Sequence, residues 1–336
     1  MKAIGFTSNL PNTHPEYLHD LRLDDPIPGP KDLLVRVRAV SVNPVDYKIR
    51  KSRTPADGKP EVLGWDAVGI VEGLGGEVSG FKLGDRVYYA GAINRPGTNS
   101  ELHLVDERIA SRAPRSLADA DAAALPLTTI TAYELLFDRF GVTKGGGVGQ
   151  SILIVGGAGG VGSILIQLVR QLTQLQIIAT ASRDETRKWC LDLGAHAVVD
   201  HRAPLSVAVK AAGVDQVDYV ASLTQTTQHF EQLVESLKPQ GALGVIDEAV
   251  GIDSTKLMTK SLSLHRELMF TRSIFQTPDM HEQGRLLQDV ADLVDAGRIR
   301  TTAHTHMGKI TAENLRKAHV LLESGRTQGK IVLAGF

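Results

Sequence analysis

Residues 156 to 162 of this 336-residue chain read Gly-Gly-Ala-Gly-Gly-Val-Gly, and the spacing of three of them has a chemical use. Gly157, Gly159 and Gly162 give G-x-G-x-x-G between an apolar run at 152–155 and a segment of helical apolar periodicity. In that setting the first glycine permits a tight turn and the second lets a pyrophosphate approach the backbone. The third lets helix and strand pack closely. The anion then meets the unpaired N–H groups and positive end of the helix. Gly157, Ala158, Gly159, Gly160, Val161 and Gly162 are therefore expected to hold a dinucleotide. A bare triplet would equally fit a structural turn; the strand before it and the helix after it favour the nucleotide. About 20 residues past the glycines, an NAD site offers an acid to the ribose 2′-hydroxyl. Here the chain reads Thr180-Ala181-Ser182-Arg183, and Asp184 and Glu185 follow as N-terminal anions of the next helix. A hydroxyl and a guanidinium fork suit a 2′-phosphate, so Ser182 and Arg183 favour NADP(H) over NAD(H). The plainer reading of Arg183 is a solvated surface arginine.

These residues need a frame. From 151 onward, strands at 152–155, 177–180, 197–199, 218–220 and 242–246 alternate with helices at 161–172, 185–193, 205–212 and 227–237. That order predicts a doubly wound parallel sheet. The first 125 residues are β-rich instead. Residues 33–40 alternate like a half-buried strand, and 69–73 and 86–90 are short strands separated by glycine turns. Residues 2–6 read as a strand, 91–100 as a loop, and 117–140 as helical segments joined near Pro126. After 272, helices at 280–296 and 312–323 precede a last strand at 330–333. No internal repeat or low-complexity stretch interrupts this order.

Composition narrows the class. The length suits two domains with substantial cores. At 42% hydrophobic and 22% charged residues the chain reads as a soluble globular protein. A net charge of −1 gives no pull toward nucleic acid or an anionic membrane. No apolar run is long enough to span a bilayer, and the N-terminus lacks a signal peptide's apolar core, so the cytoplasm is the expected location. Cys190 is the only cysteine, which excludes an intramolecular disulfide and a cysteine zinc cluster. It is expected to pack in a helix rather than to act as a nucleophile.

Taken together, Asn43-Pro-Val-Asp46, Leu63-Gly-Trp-Asp-Ala-Val-Gly-Ile-Val-Glu72, Gly84-Asp-Arg-Val-Tyr88, Thr131-Ala-Tyr133, the glycine cluster and Gly329-Lys-Ile-Val-Leu333 span nearly the whole chain. In this order they resemble the medium-chain dehydrogenase/reductase superfamily, in its quinone-oxidoreductase and enone-reductase branch. The nearest subgroup is the one often labelled zinc-type alcohol dehydrogenase-like. The resemblance implies an α/β fold, a Rossmann doubly wound parallel sheet inserted in a β-rich GroES-like domain. The GroES-like substrate domain would comprise 1–125 and 272–336, the Rossmann domain 126–271, with the active site in the cleft between them. A homodimer is the expected assembly.

The zinc in that label conflicts with the residues. Zinc-dependent members carry a Cys where this chain has Asn43 and a His-Glu pair where it has Trp65-Asp66. A catalytic zinc needs about three protein ligands and an open position. Asp66 alone survives as an oxygen donor, and His304 and His306, two apart, are expected at the surface. No metal is therefore expected. Without a Lewis acid, simple alcohol oxidation loses ground to hydride addition onto an already activated acceptor. The acceptor's developing negative charge then needs a donor.

The resemblance places candidate donors in residues 43–50. Many quinone reductases have a Tyr five residues after the Asn; this chain has Lys48 there, as plant enone reductases do, with Tyr47 beside it. Lys48 would hold a substrate carbonyl or the nicotinamide ribose; alternatively it belongs to a solvated basic run. Asn43 would bond substrate or a nicotinamide-side hydroxyl, or serve the turn before Pro44. Asp46 is expected to partner the local basic residues, and Trp65 to wall the pocket or pack in the core. On the cofactor side the resemblance points to Thr131, His201, the backbone of Thr271, and Lys330, which would reach the cofactor or cap the final strand. Loops near 50–60, 91–100 and 274–282 would shape the pocket. The expected function is a zinc-independent, NADPH-dependent reductase passing hydride to a quinone or to the C=C of an α,β-unsaturated carbonyl. The alternatives are a zinc-dependent alcohol dehydrogenase and a non-catalytic NADPH-binding protein. The expected partner is a small-molecule substrate, with no nucleic acid and no membrane.

Overall fold

A computed structural model describes residues 1–56 and 59–336. Asp57 and Gly58, in the first of the loops expected to shape the pocket, lie outside the described residues. The chain forms two compact units, residues 1–130 with 270–336, and residues 131–269.

The first unit opens with β1 (Lys2–Phe6), β2 (His19–Arg22), β3 (Asp32–Val42), α1 (Pro44–Ser52), β4 (Glu61–Val62) and β5 (Asp66–Leu74). It continues through β6 (Arg86–Ala90), β7 (Leu102–Asp106), β8 (Ala110–Arg112), α2 (Asp119–Ala123) and the start of α3 (Pro126–Tyr133). A six-residue π-helical stretch, Glu134–Arg139, continues α3 into the second unit.

The second unit then alternates β9 (Ser151–Val155), α4 (Gly160–Leu172), β10 (Gln176–Thr180), α5 (Asp184–Asp192), β11 (Ala197–Val199), α6 (Leu205–Ala211), β12 (Val217–Ser222), α7 (Thr226–Ser236), β13 (Leu237–Val245) and β14 (Ser263–Arg266). All its strand pairs are parallel, in the order β11-β10-β9-β12-β13-β14. The order reverses between β9 and β12, the switch point at whose carboxyl ends such sheets bind ligands. β9 is buried along its whole length, which is why its sequence is a continuous apolar run rather than an alternation. The expected five strands become six, because β14 was not evident from its sequence, Ser-Leu-His-Arg.

The chain returns to the first unit through α8 (Thr271–Phe275), α9 (Glu282–Asp295), β15 (Ala303–His306), α10 (Ala312–Glu323) and β16 (Lys330–Ala334). The main sheet of this unit runs β15-β16-β3-β5-β6-β8, and β7 also pairs with β3. Its register has one consequence for function. Ile331 on β16 pairs with Val42 at the end of β3, and Ser41 pairs with Asp66 at the start of β5. Lys330, residues 41–43 and Asp66, far apart in sequence, thus meet at one end of three adjacent strands.

Helix α1 was not expected. Its buried residues are Asp46 and Arg50, so its inward face carries no apolar period. The helix starts by local chemistry: Pro44 sits at its first position, and the Asn43 N–H donates to Asp46 Oδ2 at 2.8 Å. Among the described residues, no helix is long and apolar enough to cross a membrane.

Candidate active site

The glycine loop joins β9 to α4, and Gly159 is the N-cap of α4. Thr180 at the end of β10 holds it. Its Oγ1 accepts the Gly156 N–H at 3.0 Å, and its carbonyl accepts the Gly157 N–H at 3.2 Å. The glycines divide by what limits them. A Cβ at Gly162 would lie 2.4 Å from Gly156 O, and one at Gly157 would lie 2.8 Å from the Ala179 Cβ, so the protein itself forbids side chains there. A Cβ at Gly159 would meet only Gly156 O, at 3.4 Å. The protein does not require that position to be bare; an incoming pyrophosphate would. That cradle fits a dinucleotide, since the first-turn N–H groups of α4 have no intrahelical partner. Cys190 is fully buried under the loop, and burial pushes its thiol up to about 12, consistent with a packing role.

Ser182 is half-buried just past β10, and Arg183 is exposed, with Nε 3.1 Å from Glu185 Oε1. Asp184 and Glu185 do open α5. Sequence reasoning missed Arg202. Its guanidinium donates to the Ser182 carbonyl at 3.2 Å and pairs with Asp200 at 2.6 Å. The parallel pairing of β10 with β11 brings residues 182 and 202 together, and no local signal announces it. Two guanidiniums therefore flank the strand end. His201, half-buried, lies 6.3 Å from His229, ring to ring. Thr131 is buried in α3, and Thr271 opens α8, partly exposed.

In the first unit the register builds a buried polar centre. Asp66 Oδ1 accepts the Leu127 N–H in the first turn of α3 at 2.7 Å. Its Oδ2 accepts Asn43 Nδ2 at 2.8 Å and Lys330 Nζ at 3.0 Å. Lys330 Nζ also donates to Val42 O at 3.1 Å and Asn43 Oδ1 at 2.5 Å. Asn43, Asp66 and Lys330 are 1%, 0% and 3% exposed. This corrects two expectations. An ammonium has three N–H donors, and all three of Lys330's are used here, leaving none for a cofactor. The Asn43 side chain is likewise engaged by Asp66, Lys330 and Ser41 O rather than by substrate.

Asp46 needs correcting too. It accepts the Asn43 N–H, and among the described residues it pairs with no basic side chain and its Oδ1 has no partner. Burial pushes its carboxyl up to about 7. The buried base of α1, Arg50, instead pairs with Glu323 at 2.7 Å and stacks 4.5 Å over the Tyr17 ring. Trp65 does not wall an open pocket. It is fully buried, edge-on to Phe270 at 5.9 Å, and its Nε1 donates to Ala92 O. Lys48 is exposed and Tyr47 half-buried on α1, with Lys51 Nζ 5.1 Å over the Tyr47 ring. Two of the expected pocket loops do meet. Ala92, Asn94 and Arg95 of one and Gln276 and Met280 of the other line a cavity of about 80 Å³.

A zinc ion does not fit these side chains. Both Asp66 oxygens already accept donors, and one donor is a cation. Among the described residues no group of three or more His, Cys, Asp or Glu could hold a metal. His304 and His306 are exposed on β15; His306 Nε2 lies 3.6 Å from Asp121 Oδ1.

Comparison with known proteins places this arrangement. Residues 29–114 match the alcohol dehydrogenase GroES-like domain, and residues 193–333 match the zinc-binding dehydrogenase family. The chain is 39% identical to a zinc-type alcohol dehydrogenase-like protein of Staphylococcus epidermidis, over 99% of both chains. It is 29% identical to the 2-methylene-furan-3-one reductase of Solanum lycopersicum, over 90% of this chain and 71% of that one. A crystal structure from Rhizobium etli CFN 42, described as a candidate zinc-dependent alcohol dehydrogenase, is 52% identical. It matches with a TM-score of 0.96 over 100% of this chain and 98% of the other. The chain belongs with the zinc-type alcohol dehydrogenase-like proteins, in the medium-chain dehydrogenase/reductase superfamily of oxidoreductases.

Proposed function

We propose that this NAD(P)H-dependent oxidoreductase is a zinc-independent, NADPH-preferring reductase of quinones or of the C=C of α,β-unsaturated carbonyls. The observation that carries this reading is the Asp66 carboxylate, both of whose oxygens are engaged, by Leu127 N–H, Asn43 Nδ2 and the Lys330 ammonium. With no metal Lewis acid to polarise an alcohol or a simple carbonyl, the acceptor must carry its own activation, as a quinone or enone does. The tomato relative named for reducing a methylene-furanone supports the enone side.

When bound, the nicotinamide supplies the hydride. Solvent supplies the proton that completes the reduction, and the chain's residues bind and orient. The bare Gly159 backbone and the first turn of α4 receive the pyrophosphate. Ser182, Arg183 and Arg202 receive the 2′-phosphate, the guanidiniums exchanging Glu185 and Asp200 for phosphate oxygens. Lys48, with Tyr47 beside it on α1, donates to the oxygen on which negative charge grows. Asn43 and Asp46 hold the start of that helix in place.

The test is NADPH oxidation by purified protein with a panel of quinones and enones in excess chelator. Turnover that survives chelation and falls at least about tenfold in Lys48→Ala supports the reading. Silence across both panels, with NADPH still bound tightly, would instead support the non-catalytic alternative. Activity lost on chelation would restore the zinc enzyme. In the same assay, Arg183→Ala with Arg202→Ala is expected to raise the KM for NADPH roughly tenfold or more and leave NADH unaffected.

A further inference from the structure

We propose that the Lys330 ammonium is the resident cation of the buried centre, filling an all-oxygen cage that would otherwise accept a divalent metal and so keeping metal out. This rests on the zinc-independent reading above and gives it a physical cause. The cage is Val42 O at 3.1 Å, Asn43 Oδ1 at 2.5 Å and Asp66 Oδ2 at 3.0 Å from Nζ. A carbonyl, an amide and a carboxylate oxygen are the donor set of hard cations. Three ammonium N–H groups face three oxygens, so the cation is fully solvated by protein. The register fixes the cage, since its members sit at the ends of β3, β5 and β16.

A metal bound to Asp66 Oδ2 would stand about 2.0–2.6 Å from it. Seated among the same three oxygens it would coincide with Nζ, so in this cage one cation excludes the other. The negative charge of the centre is the Asp66 carboxylate, and the Lys330 ammonium is already paired with it at 3.0 Å. A tethered ammonium thus supplies the charge without an open coordination position, and the site loses Lewis acidity while keeping its fold. A merely structural lysine would matter for its aliphatic packing as well, and an uncharged filler would replace it.

The experiment separates the two. Lys330→Ala removes Cγ, Cδ, Cε and Nζ, which as a free molecule are n-propylammonium. Thermal unfolding of wild type and variant is measured in n-propylammonium chloride, in n-propanol with matched sodium chloride, and in Mn²⁺ or Zn²⁺. Metal per chain is counted after gel filtration. The variant is expected to melt lower, to recover roughly half or more of the loss with n-propylammonium, and to gain nothing from n-propanol. It is expected to bind Mn²⁺ or Zn²⁺ at least about tenfold tighter than wild type, a gain abolished by adding Asp66→Asn. Equal rescue by n-propanol, or metal binding no tighter than wild type, overturns the proposal. If Lys330→Ala does not fold, Lys330→Gln, uncharged but still a donor, is read by metal uptake alone with the same two outcomes. Wild type that keeps one zinc through gel filtration would overturn the zinc-independent reading itself. Wild type and variant that are both metal-free would overturn only this inference.

Discussion

Asp46 is a carboxyl with one oxygen bonded to the Asn43 N–H and the other, among the described residues, bonded to nothing. Burial raises its pKa from 3.8 to about 7, Lys330 opposing the shift only in part. The folded protein therefore holds this proton more tightly than the unfolded chain. The stability that it contributes is complete below about pH 4 and is lost as pH rises to about 7. Asp46→Asn keeps an acceptor for the Asn43 N–H and carries no charge. Relative to wild type it is expected to gain stability steadily from pH 4 to 7, reaching about 2–4 kcal/mol at pH 8. Urea unfolding at pH 5 and pH 8 measures it; an unchanged difference between the two would show that Asp46 is charged throughout. At this scale the sequence was partly legible. Asn43, Asp66 and Lys330 each stood out from family motifs, but their mutual bonds did not, because Lys330 lies 287 residues from Asn43 and 264 from Asp66. Only the strand register joins them.

At the scale of elements, the β9 loop to α4 joint can be tested glycine by glycine. Gly162→Ala places a Cβ 2.4 Å from one backbone oxygen and 2.6 Å from another, and neither can move without breaking the loop. It should cost about 2–4 kcal/mol of stability by thermal or urea unfolding. Gly159→Ala meets a single atom at 3.4 Å and should fold normally, while its NADPH affinity falls about tenfold or more in a fluorescence titration. If Gly159→Ala binds NADPH as wild type does, the pyrophosphate does not approach that residue. Elements with a strong period were readable from sequence. Strands at 86–90 and 197–199 and the helix at 312–323 stand where their apolar spacing puts them. α1 was not, because its inward residues are charged. β15 escaped too, since it is half-exposed and rich in histidine. The π-helical turn at 134–139 has no signature in residue spacing at all.

At the scale of the whole molecule, the two ends of the chain are bound into the first unit by a second buried polar cluster. Arg50 on α1 reaches Glu323 on α10, 273 residues away, and Leu10 O on the N-terminal segment, while Tyr17 donates to Arg316 O. His319 lies inside this cluster, fully buried, 6.4 Å from the Tyr17 ring, with neither ring nitrogen bonded. Burial, with Arg50 adding to it, lowers its pKa from 6.5 to about 3. Here the unfolded chain binds the proton more tightly. The stability His319 contributes is complete above about pH 6.5 and is lost as pH falls toward 3. Its slope therefore opposes that of Asp46 across nearly the same window, and wild-type stability should change little between about pH 4 and 6.5 on account of these two groups. His319→Leu removes one slope and exposes the other. At pH 5 it should exceed wild type by about 2 kcal/mol, while at pH 8 the two should agree within about 1 kcal/mol. Its own stability should then decline with rising pH, the mirror image of Asp46→Asn, and the double variant should return to a flat profile. Urea midpoints for the four proteins from pH 4.5 to 8 measure this directly. A His319→Leu profile parallel to wild type would mean that the imidazole titrates normally, with a partner reached through rearrangement of α10.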